Sequence, residues 1–488
     1  MKKQKSQKVL AWTTKDVVLN VITYLFNTIF IALLFVGTIY IEARSGSVDF
    51  DAYIKNATNL LHFFMLLLLL IALMVLYLFF EDRDFLKHAV NSEMLFLIIE
   101  ISLVICHVSG SYISLYVRPL ALAAVLTLFL SDRRKAIFIN ILYCLITFLF
   151  DSLGSTELRI GEYPVLIMGF ASGMMAVFCM DKAYSRIKLL GMSLIIAVPT
   201  VVCLAMMVIN IPTENTLGAL ISGACSGPFA VMAFMVLLPV FEALFTKVSS
   251  FKLAELTDHK AKLIKKMIQQ APGTFNHAIV VSNIAEACAI AINEDALLAR
   301  TCAYYHDIGK LRRPEFFKEN QADGFNPHDD LTPELSANII KSHARDGYNL
   351  IMKNRLPKVI ADVCLEHHGT MPIMYFYGKA KKFTDGEVDI AQYCYAGPKP
   401  RTKIAAIIMI ADGCEAAARS LQDRSRENVK SVVRKIVNER MEMGQFEECE
   451  ITLKEINIIV HTVVNNLTGI YHSRIEYPKV NLDGIAAQ

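Results

Sequence analysis

The sequence predicts an all-α protein, in which a polytopic bundle of membrane helices is followed by a helical domain of soluble character. Hydrophobic residues make up 54% of the 488-residue chain and charged residues only 19%, whereas soluble domains carry about 25% charged residues. The charge is unevenly distributed, because residues 1–246 hold 17 basic and 16 acidic side chains and residues 247–488 hold 32 and 30. Apolar runs in the first part reach the roughly 20 residues that a bilayer-spanning helix needs.

Eight segments of the first part are apolar enough to cross a membrane. They lie near residues 17–41, 57–80, 94–110, 114–131, 135–153, 163–180, 187–210 and 218–245. Lys and Arg collect on the cytoplasmic side, and with eight spans thirteen basic residues fall on the side of the N-terminal leader. The four on the opposite side are Arg44, Lys55, Arg118 and Arg159. We therefore expect residues 1–246 to form a transmembrane region with both ends in the cytoplasm and no sizeable extracellular domain.

Few ionisable side chains lie inside the predicted spans. Glu100, His62 and His107 are the candidates for a transport pathway, but three isolated groups favour contacts between helices instead. Gly223 and Gly227 lie four residues apart, a small-residue spacing that predicts close helix packing.

Residues 247–272 are predicted to form an amphipathic linker helix. Apolar residues from Leu253 to Met267 recur at helical spacing, with four lysines between them. Pro272 and Gly273 then end the pattern. The linker either rests its basic side on lipid headgroups or couples a membrane signal to the domain that follows, and the sequence leaves both interpretations open.

Nine of the 12 histidines follow residue 250. Five of them, with two aspartates, stand in contexts typical of metal ligands: His277, His306, Asp307, His343, His367, His368 and Asp412. Asp412 lies in the apolar segment KIAAIIMIADGCEAAARS, where a buried carboxylate needs a metal or a donor. Imidazole with carboxylate suits Mn, Fe, Zn, Co or Ni more than Mg or Ca. A single histidine on an apolar face is usually a satisfied core residue, but the combined spacing favours a metal site.

The order H…HD…H…HH…D matches the HD-domain metal phosphohydrolases. The longer strings LLARTCAYYHDIGKLRRPEFFKENQ, LEHHGT and YAGPKPRTKIAAIIMIADGCEAAARSL are more specific. They resemble the bacterial seven-transmembrane receptor HD family, whose studied members are membrane-bound cyclic di-AMP phosphodiesterases. The resemblance covers the second half of the chain in detail and the first half only in architecture. It implies that residues 273–488 form a helical HD phosphohydrolase domain.

The resemblance also implies roles for individual residues. One divalent transition-metal ion would be held by His277, His306, Asp307 and Asp412, and a second by Asp307, His343 and His367, with Mn or Fe favoured. His368 would complete the cluster, as a metal ligand or as a phosphate contact. Asp307, Lys310 and His368 would act in catalysis. Lys310, His472 and Arg474 would contact substrate. The implied reaction is in-line attack of water on cyclic di-AMP to give pApA, without a protein nucleophile.

The chain departs from the family between the first two spans. Members usually carry a large extracellular domain there, and here only residues 42–56 occupy that position, so sensing by such a domain is not expected. Other HD activities on cyclic dinucleotides or nucleotides, a receptor with a non-catalytic HD module, and a transporter remain alternatives. The retention of every expected ligand argues against a non-catalytic module.

The expected partners are a cyclic dinucleotide and the lipid bilayer. A net charge of +3 gives no argument for a nucleic-acid polymer, and a homo-oligomer is compatible with the sequence. Eleven scattered cysteines without a CxxC pair indicate a reducing compartment. The expected location is the inner or plasma membrane of a bacterium, crossed several times, with the HD domain in the cytoplasm.

Overall fold

A computed structural model describes most of the chain. The described residues are 12–44, 49–55, 57–154, 162–181, 185–210, 216–321, 326–383 and 387–470. The chain folds as two compact units with the boundary after Ser249. Within the described ranges the regular structure is helical, and one isolated bridge between Pro372 and Cys394 is the extent of β-pairing. The predicted all-α class is therefore confirmed.

The first unit contains ten α-helices in its described part. They are α1 (Thr14–Arg44), α2 (Phe50–Lys55), α3 (Ala57–Glu81), α4 (Arg83–Lys87), α5 (Ala89–Tyr112), α6 (Leu122–Leu130), α7 (Arg133–Gly154), α8 (Glu162–Met180), α9 (Arg186–Asn210) and α10 (Thr216–Phe245). Among the residues described, six helices are long and apolar enough to cross a membrane, namely α1, α3, α5, α7, α9 and α10. Shorter apolar segments lie at Leu115–Leu130 and Val165–Met180, where the fourth and sixth spans are predicted. The eight-span topology stays a prediction.

The predicted span near residues 114–131 is interrupted in the structure. A 3-10 turn, Leu115–Val117, precedes the nine-residue α6. Arg118, which the charge pattern assigns to an outer loop, is 7% exposed and pairs with Asp151 of α7 at 2.6 Å. Pro119 follows directly, and because proline lacks an N–H and disfavours a helical residue before it, the helix begins only after this pair. Arg159 lies outside the described residues.

Close helix packing at the predicted small-residue face is present between α9 and α10. A Cβ atom at Gly227 would lie 2.1 Å from the carbonyl oxygen of Ser193, and one at Gly223 would lie 2.5 Å from Leu204 Cδ1. Only glycine therefore permits the two helices to approach this closely.

The second unit also contains ten α-helices in its described part. They are α11 (Ser250–Leu256), α12 (Lys262–Gln270), α13 (Pro272–Ala291), α14 (Ala296–Tyr305), α15 (Pro333–Lys353), α16 (Lys358–Glu366), α17 (Met374–Phe383), α18 (Lys403–Ser420), α19 (Arg426–Glu442) and α20 (Leu453–Ile470). Short 3-10 helices lie at Ile308–Arg312, Pro314–Phe316, Lys318–Asn320, Pro327–Asp330 and Ile390–Tyr393. The core centres on α13, which packs against α14, α18 and α20.

The expected single linker helix is two helices, α11 and α12. Between them Asp258 turns the chain, with its carboxylate accepting a hydrogen bond from the backbone N–H of Lys260 at 2.7 Å. Leu263 and Met267 of α12 are buried in the core of the second unit. The apolar stripe therefore faces the rest of the second unit, and the segment from Ser250 onward belongs to that unit.

Local sequence signals fix the helices that carry the candidate site. Asp295 caps α14 by accepting from the N–H of Leu298, and Thr402 caps α18 by accepting from the N–H of Ala405. Proline occupies the first position of both α13 and α15, where its missing N–H costs nothing.

Candidate metal centre

Five helices of the second unit bring the seven predicted ligands together. His277 lies on α13, His343 on α15 and Asp412 on α18. The remaining four follow helix ends: His306 and Asp307 come directly after α14, and His367 and His368 come directly after α16. Six of the seven are buried and His368 is partly exposed.

The seven side chains form two groups that share one carboxylate. One group contains His277, His306, Asp307 and Asp412, and the other contains Asp307, His343, His367 and His368. Within each group the nearest ligand atoms all lie within 4.8 Å of one another, the spacing needed to hold one ion.

Asp307 turns one oxygen toward each group. Its Oδ2 lies 3.3 Å from Nε2 of His306 and 3.6 Å from Nε2 of His277. Its Oδ1 lies 3.3 Å from Nε2 of His343 and 3.7 Å from Nε2 of His367. A carboxylate in this position can bridge two metal ions.

Four histidines have their ring orientation fixed by a hydrogen bond at Nδ1. His306, His343 and His367 donate to backbone carbonyl oxygens of Ala303, Ile340 and Cys364 at 2.7, 2.5 and 2.9 Å. His277 donates to Glu415 at 2.5 Å. An imidazole that is neutral and donates from Nδ1 keeps a lone pair on Nε2. All four Nε2 atoms face the centre, so the fold selects the tautomer that binds a metal.

The donor set fits a divalent metal site. Among the described residues, His306 Nε2 and Asp307 Oδ1 are buried without a hydrogen-bond partner, an arrangement that is costly unless a cation balances it. The Nε2 atoms of His343 and His367 lie 3.3 Å apart. Two lone pairs at this distance repel each other unless a cation lies between them. A buried His/Asp cluster of this composition is compatible with a divalent metal site.

The two aspartates of the centre are held in the ionised state. Burial raises the pKa of Asp307, but Lys310 and His306 outweigh burial and hold it well below the usual range. Burial acts the same way on Asp412, and hydrogen bonds from His277 and His306 outweigh it, so this pKa also lies well below the ordinary value. Both carboxylates therefore carry the charge that metal binding requires.

The histidines differ in their protonation. Burial lowers the pKa of His306, yet the neighbouring carboxylates of Asp307 and Asp412 together outweigh burial and raise the pKa to about 10. For His367 and His368 burial dominates and the pKa of each is lowered. Without metal the centre therefore holds a proton on the side of His306, and a metal ion must displace it.

Lys310 lies at the edge of the centre. Its Nζ is 2.8 Å from Oδ2 of Asp307 and 2.7 Å from Oε1 of Glu319. Burial lowers its pKa, but these two carboxylates outweigh it and raise the pKa above the usual range, so the amine stays charged. Glu319 was not expected from the sequence, because it lies in an irregular 3-10 segment whose position no pattern indicates.

Two further contacts escaped the sequence analysis. Tyr395 stacks on His368 with ring centroids 4.3 Å apart. Glu366, 2% exposed, binds the backbone N–H and the guanidinium Nε of Arg401 at 3.2 and 2.8 Å. This pair fastens the loop that carries Tyr395 beside the histidine doublet. His472 and Arg474, the other predicted substrate contacts, lie outside the described residues.

Both halves of the chain match family models. Residues 57–249 match "7TM receptor with intracellular HD hydrolase", and residues 274–417 match "HD domain". The chain belongs to the seven-transmembrane receptor HD family. In this family's matched membrane range the described structure has seven apolar helical segments, and α1 precedes them.

Curated relatives of this seven-transmembrane receptor HD protein cover much of the chain. It is 36% identical over 464 residues to "Cyclic-di-AMP phosphodiesterase PgpH" of Bacillus subtilis (strain 168), covering 91% of this chain and 65% of the relative. It is 38% identical over 365 residues to the protein of the same name from Listeria monocytogenes serotype 1/2a (strain 10403S), covering 74% of this chain and 50% of the relative. The chain thus spans less than two thirds of the length of either.

A solved structure also matches the second half. The crystal structure of the L. monocytogenes phosphodiesterase PgpH HD domain in complex with cyclic-di-AMP is 48% identical, covers 44% of this chain and 99% of that chain, and has a TM-score of 0.42.

Proposed function

We propose that this protein is a membrane-anchored, metal-dependent phosphodiesterase that hydrolyses cyclic di-AMP to pApA. Family membership supports the reaction class, and the names of the two PgpH relatives support the substrate. The observation that carries the proposal is the pair of ligand groups that share Asp307.

The two groups would hold two divalent transition-metal ions, with Mn or Fe favoured by the mixed imidazole and carboxylate donors. Such an ion pair, when bound, neutralises charge on a phosphodiester and lowers the pKa of water. The protein's own residues position these elements. Asp307 would bind both ions, the Nδ1 hydrogen bonds keep four histidines oriented, and His368, with 24% of its side chain exposed, is the most accessible member of the cluster.

Lys310 is proposed to contact a phosphate oxygen. Its ammonium is a compact point charge on a flexible stem, and the ion pair with Glu319 keeps that charge at the rim of the centre. The stacked pair of Tyr395 and His368 borders the same region. His472 and Arg474 are proposed as additional substrate contacts on the basis of the family resemblance.

We further propose that the HD domain faces the cytoplasm. The thirteen-to-four asymmetry of loop Lys and Arg residues supports this orientation. Single cysteines introduced near residues 88 and 114, on opposite sides in the eight-span arrangement, test it in a cysteine-depleted chain. A membrane-impermeant maleimide applied to intact cells should label the second position only, and labelling of the first position only would reverse the topology.

The activity is tested with the full-length chain purified in detergent. It should release pApA from cyclic di-AMP in the presence of Mn²⁺, as identified by mass spectrometry, and lose this activity after chelation. The His306→Ala variant should be inactive, whereas His461→Ala, at an exposed position on α20, should match the wild type. Survival of hydrolysis in His306→Ala would contradict the metal mechanism.

The same assay separates the alternatives. Faster turnover of cyclic di-GMP or of a mononucleotide would indicate a different HD phosphohydrolase. Tight binding of cyclic di-AMP without hydrolysis, at any metal loading, would indicate a receptor with a non-catalytic HD module.

A further inference from the structure

Glu415 is a buried carboxylate next to the candidate metal centre. It lies one turn beyond Asp412 on α18, is 2% exposed, and belongs to neither ligand group. Its Oε2 accepts the hydrogen bond from Nδ1 of His277 at 2.5 Å. The same oxygen lies 3.3 Å from Nη2 of Arg419, one further turn along α18.

This contact sets His277 apart from the other oriented histidines. His306, His343 and His367 donate their Nδ1 protons to neutral backbone carbonyls, whereas His277 donates to a carboxylate. Hydrogen bonds to an ionised acceptor are roughly twice as strong as those between neutral groups. A carboxylate behind an imidazole also raises the basicity of the opposite nitrogen, which makes it a better metal donor.

We propose that Glu415 is a positioning residue that fixes His277 as an Nε2 ligand. It would thereby strengthen the binding of the ion held by His277, His306, Asp307 and Asp412. This inference rests on the proposed metal-dependent function and deepens it, because it assigns unequal support to the two halves of the centre.

Arg419 makes a buried charge at this position tolerable. An ionised carboxylate without a partner is costly in the interior, and the Arg419 side chain reaches Glu415 from a position that is 43% exposed. A line of contacts thus runs from the protein surface through Arg419 and Glu415 to His277. The guanidinium balances the charge while the carboxylate still faces the ring.

The proposal predicts a selective effect. Glu415 contacts His277, which belongs to one of the two ligand groups found among the described residues. Loss of Glu415 should therefore weaken the binding of one of the two ions. A general loss of packing would weaken both.

The test uses the full-length chain in detergent, stripped of metal and titrated with Mn²⁺. Bound ions are counted by plasma mass spectrometry, and free Mn²⁺ is followed by electron paramagnetic resonance. The wild type should bind two ions. Glu415→Ala should weaken one of them by about 10–100-fold, and Glu415→Gln, which keeps an acceptor without the charge, should recover part of the loss.

Two further variants make the result specific. Glu286→Gln is the matched control, because Glu286 lies on the same helix as His277 and pairs with Arg300 at 2.6 Å on the surface, and it should bind both ions like the wild type. Combining Glu415→Ala with His343→Ala should lower the affinity for both ions, because each change affects a different ligand group. Thermal unfolding of each metal-free variant reports whether it is folded.

Three results would overturn the proposal. The first is retention of both ions by Glu415→Ala at wild-type affinity. The second is an equal loss of affinity for both ions in Glu415→Ala, together with a lower melting temperature. The third is a Glu415→Gln variant that recovers none of the lost affinity. The absence of Mn²⁺ binding by the wild type would instead refute the proposed metal-dependent function, on which this inference depends.

Discussion

Replacing Asp307 with asparagine should remove both metal ions from the centre. The substitution preserves the volume of a fully enclosed side chain but removes its charge. Oδ2 serves the group of His277 and His306, and Oδ1 serves that of His343 and His367, at the 3.3–3.7 Å distances described above. Among the residues that the structure describes, no other side chain belongs to both groups.

The magnitude follows from this sharing. Loss of a residue that merely supports a ligand weakens a metal site by about 10–100-fold. Loss of a ligand itself should cost at least about 100-fold, or about 2.7 kcal/mol, for each ion. Because Asp307 serves both ions, the expected total is about 5 kcal/mol. Lys310 adds to the loss of metal affinity. Its ammonium keeps the ion pair with Glu319 but no longer faces a charged residue 307, so it repels a cation at the centre more strongly.

The assay counts Mn²⁺ bound to the full-length chain and measures cyclic di-AMP hydrolysis. Asp307→Asn should hold neither ion at concentrations that saturate the wild type, and Asp412→Asn should keep the ion of the His343 group. Asp362→Asn is the matched control, because Asp362 pairs with Lys358 on the surface of α16. Two ions bound to Asp307→Asn with affinity within tenfold of the wild type would refute the bridging arrangement.

Three other perturbations have defined outcomes. The pKa of His306 is raised from 6.5 to about 10 because nearby carboxylates outweigh burial. The bound proton stabilises the metal-free fold fully below pH 6.5, and this stabilisation is lost as the pH rises through 10. Mn²⁺ affinity should therefore rise between pH 6.5 and 10, with proton release measurable by calorimetry in different buffers. Gly309→Ala places a Cβ 1.9 Å from the carbonyl oxygen of His343 and should lower the stability of the fold by about 1–3 kcal/mol, as measured by thermal unfolding. It should also lower the affinity for the ion of the His343 group, as measured by metal counting. Arg118→Met breaks the buried pair with Asp151 and should cost about 3–5 kcal/mol in detergent unfolding.

Each of these has an outcome that contradicts it. Mn²⁺ affinity that is flat between pH 6.5 and 9 would mean that no proton competes at the centre. A Gly309→Ala protein with two tightly held ions would show that α15 can shift without moving His343. For the membrane pair, the double variant Arg118→Met/Asp151→Leu should recover stability, and equal losses in single and double variants would assign the effect to packing.

The fold class and the ligand set could be predicted from the sequence because each depends on a pattern along the chain. Apolar length identifies membrane helices, and the HD motif with its downstream histidines identifies the seven side chains that the structure brings together. Helix interruptions could not be predicted this way. The loop-charge pattern treats Arg118 as a loop residue, and only tertiary structure shows the partner, Asp151, that allows it to be buried.

The supporting residues were missed for a related reason. Glu415, like Asp412 three residues before it, is an acidic side chain within an apolar helix, where a buried carboxylate needs a partner. Helical spacing alone places both on one face, so that signal was available. Glu319 and Tyr395 had no such signal, because they reach the centre from irregular segments whose course depends on the folded domain.

Two helices, α14 and α16, terminate at a candidate ligand. The backbone carbonyl groups in the last turn of each helix form the negative end of its dipole, which is equivalent to about half an elementary negative charge. His306 and His367 donate to carbonyls in those last turns while turning Nε2 inward. Each histidine thus follows the end of its helix, and its ring links the last-turn carbonyl group to a cation bound at Nε2. Because each helix ends at a candidate ligand, the backbone carbonyls would join the aspartates in balancing the positive charge of a bound cation.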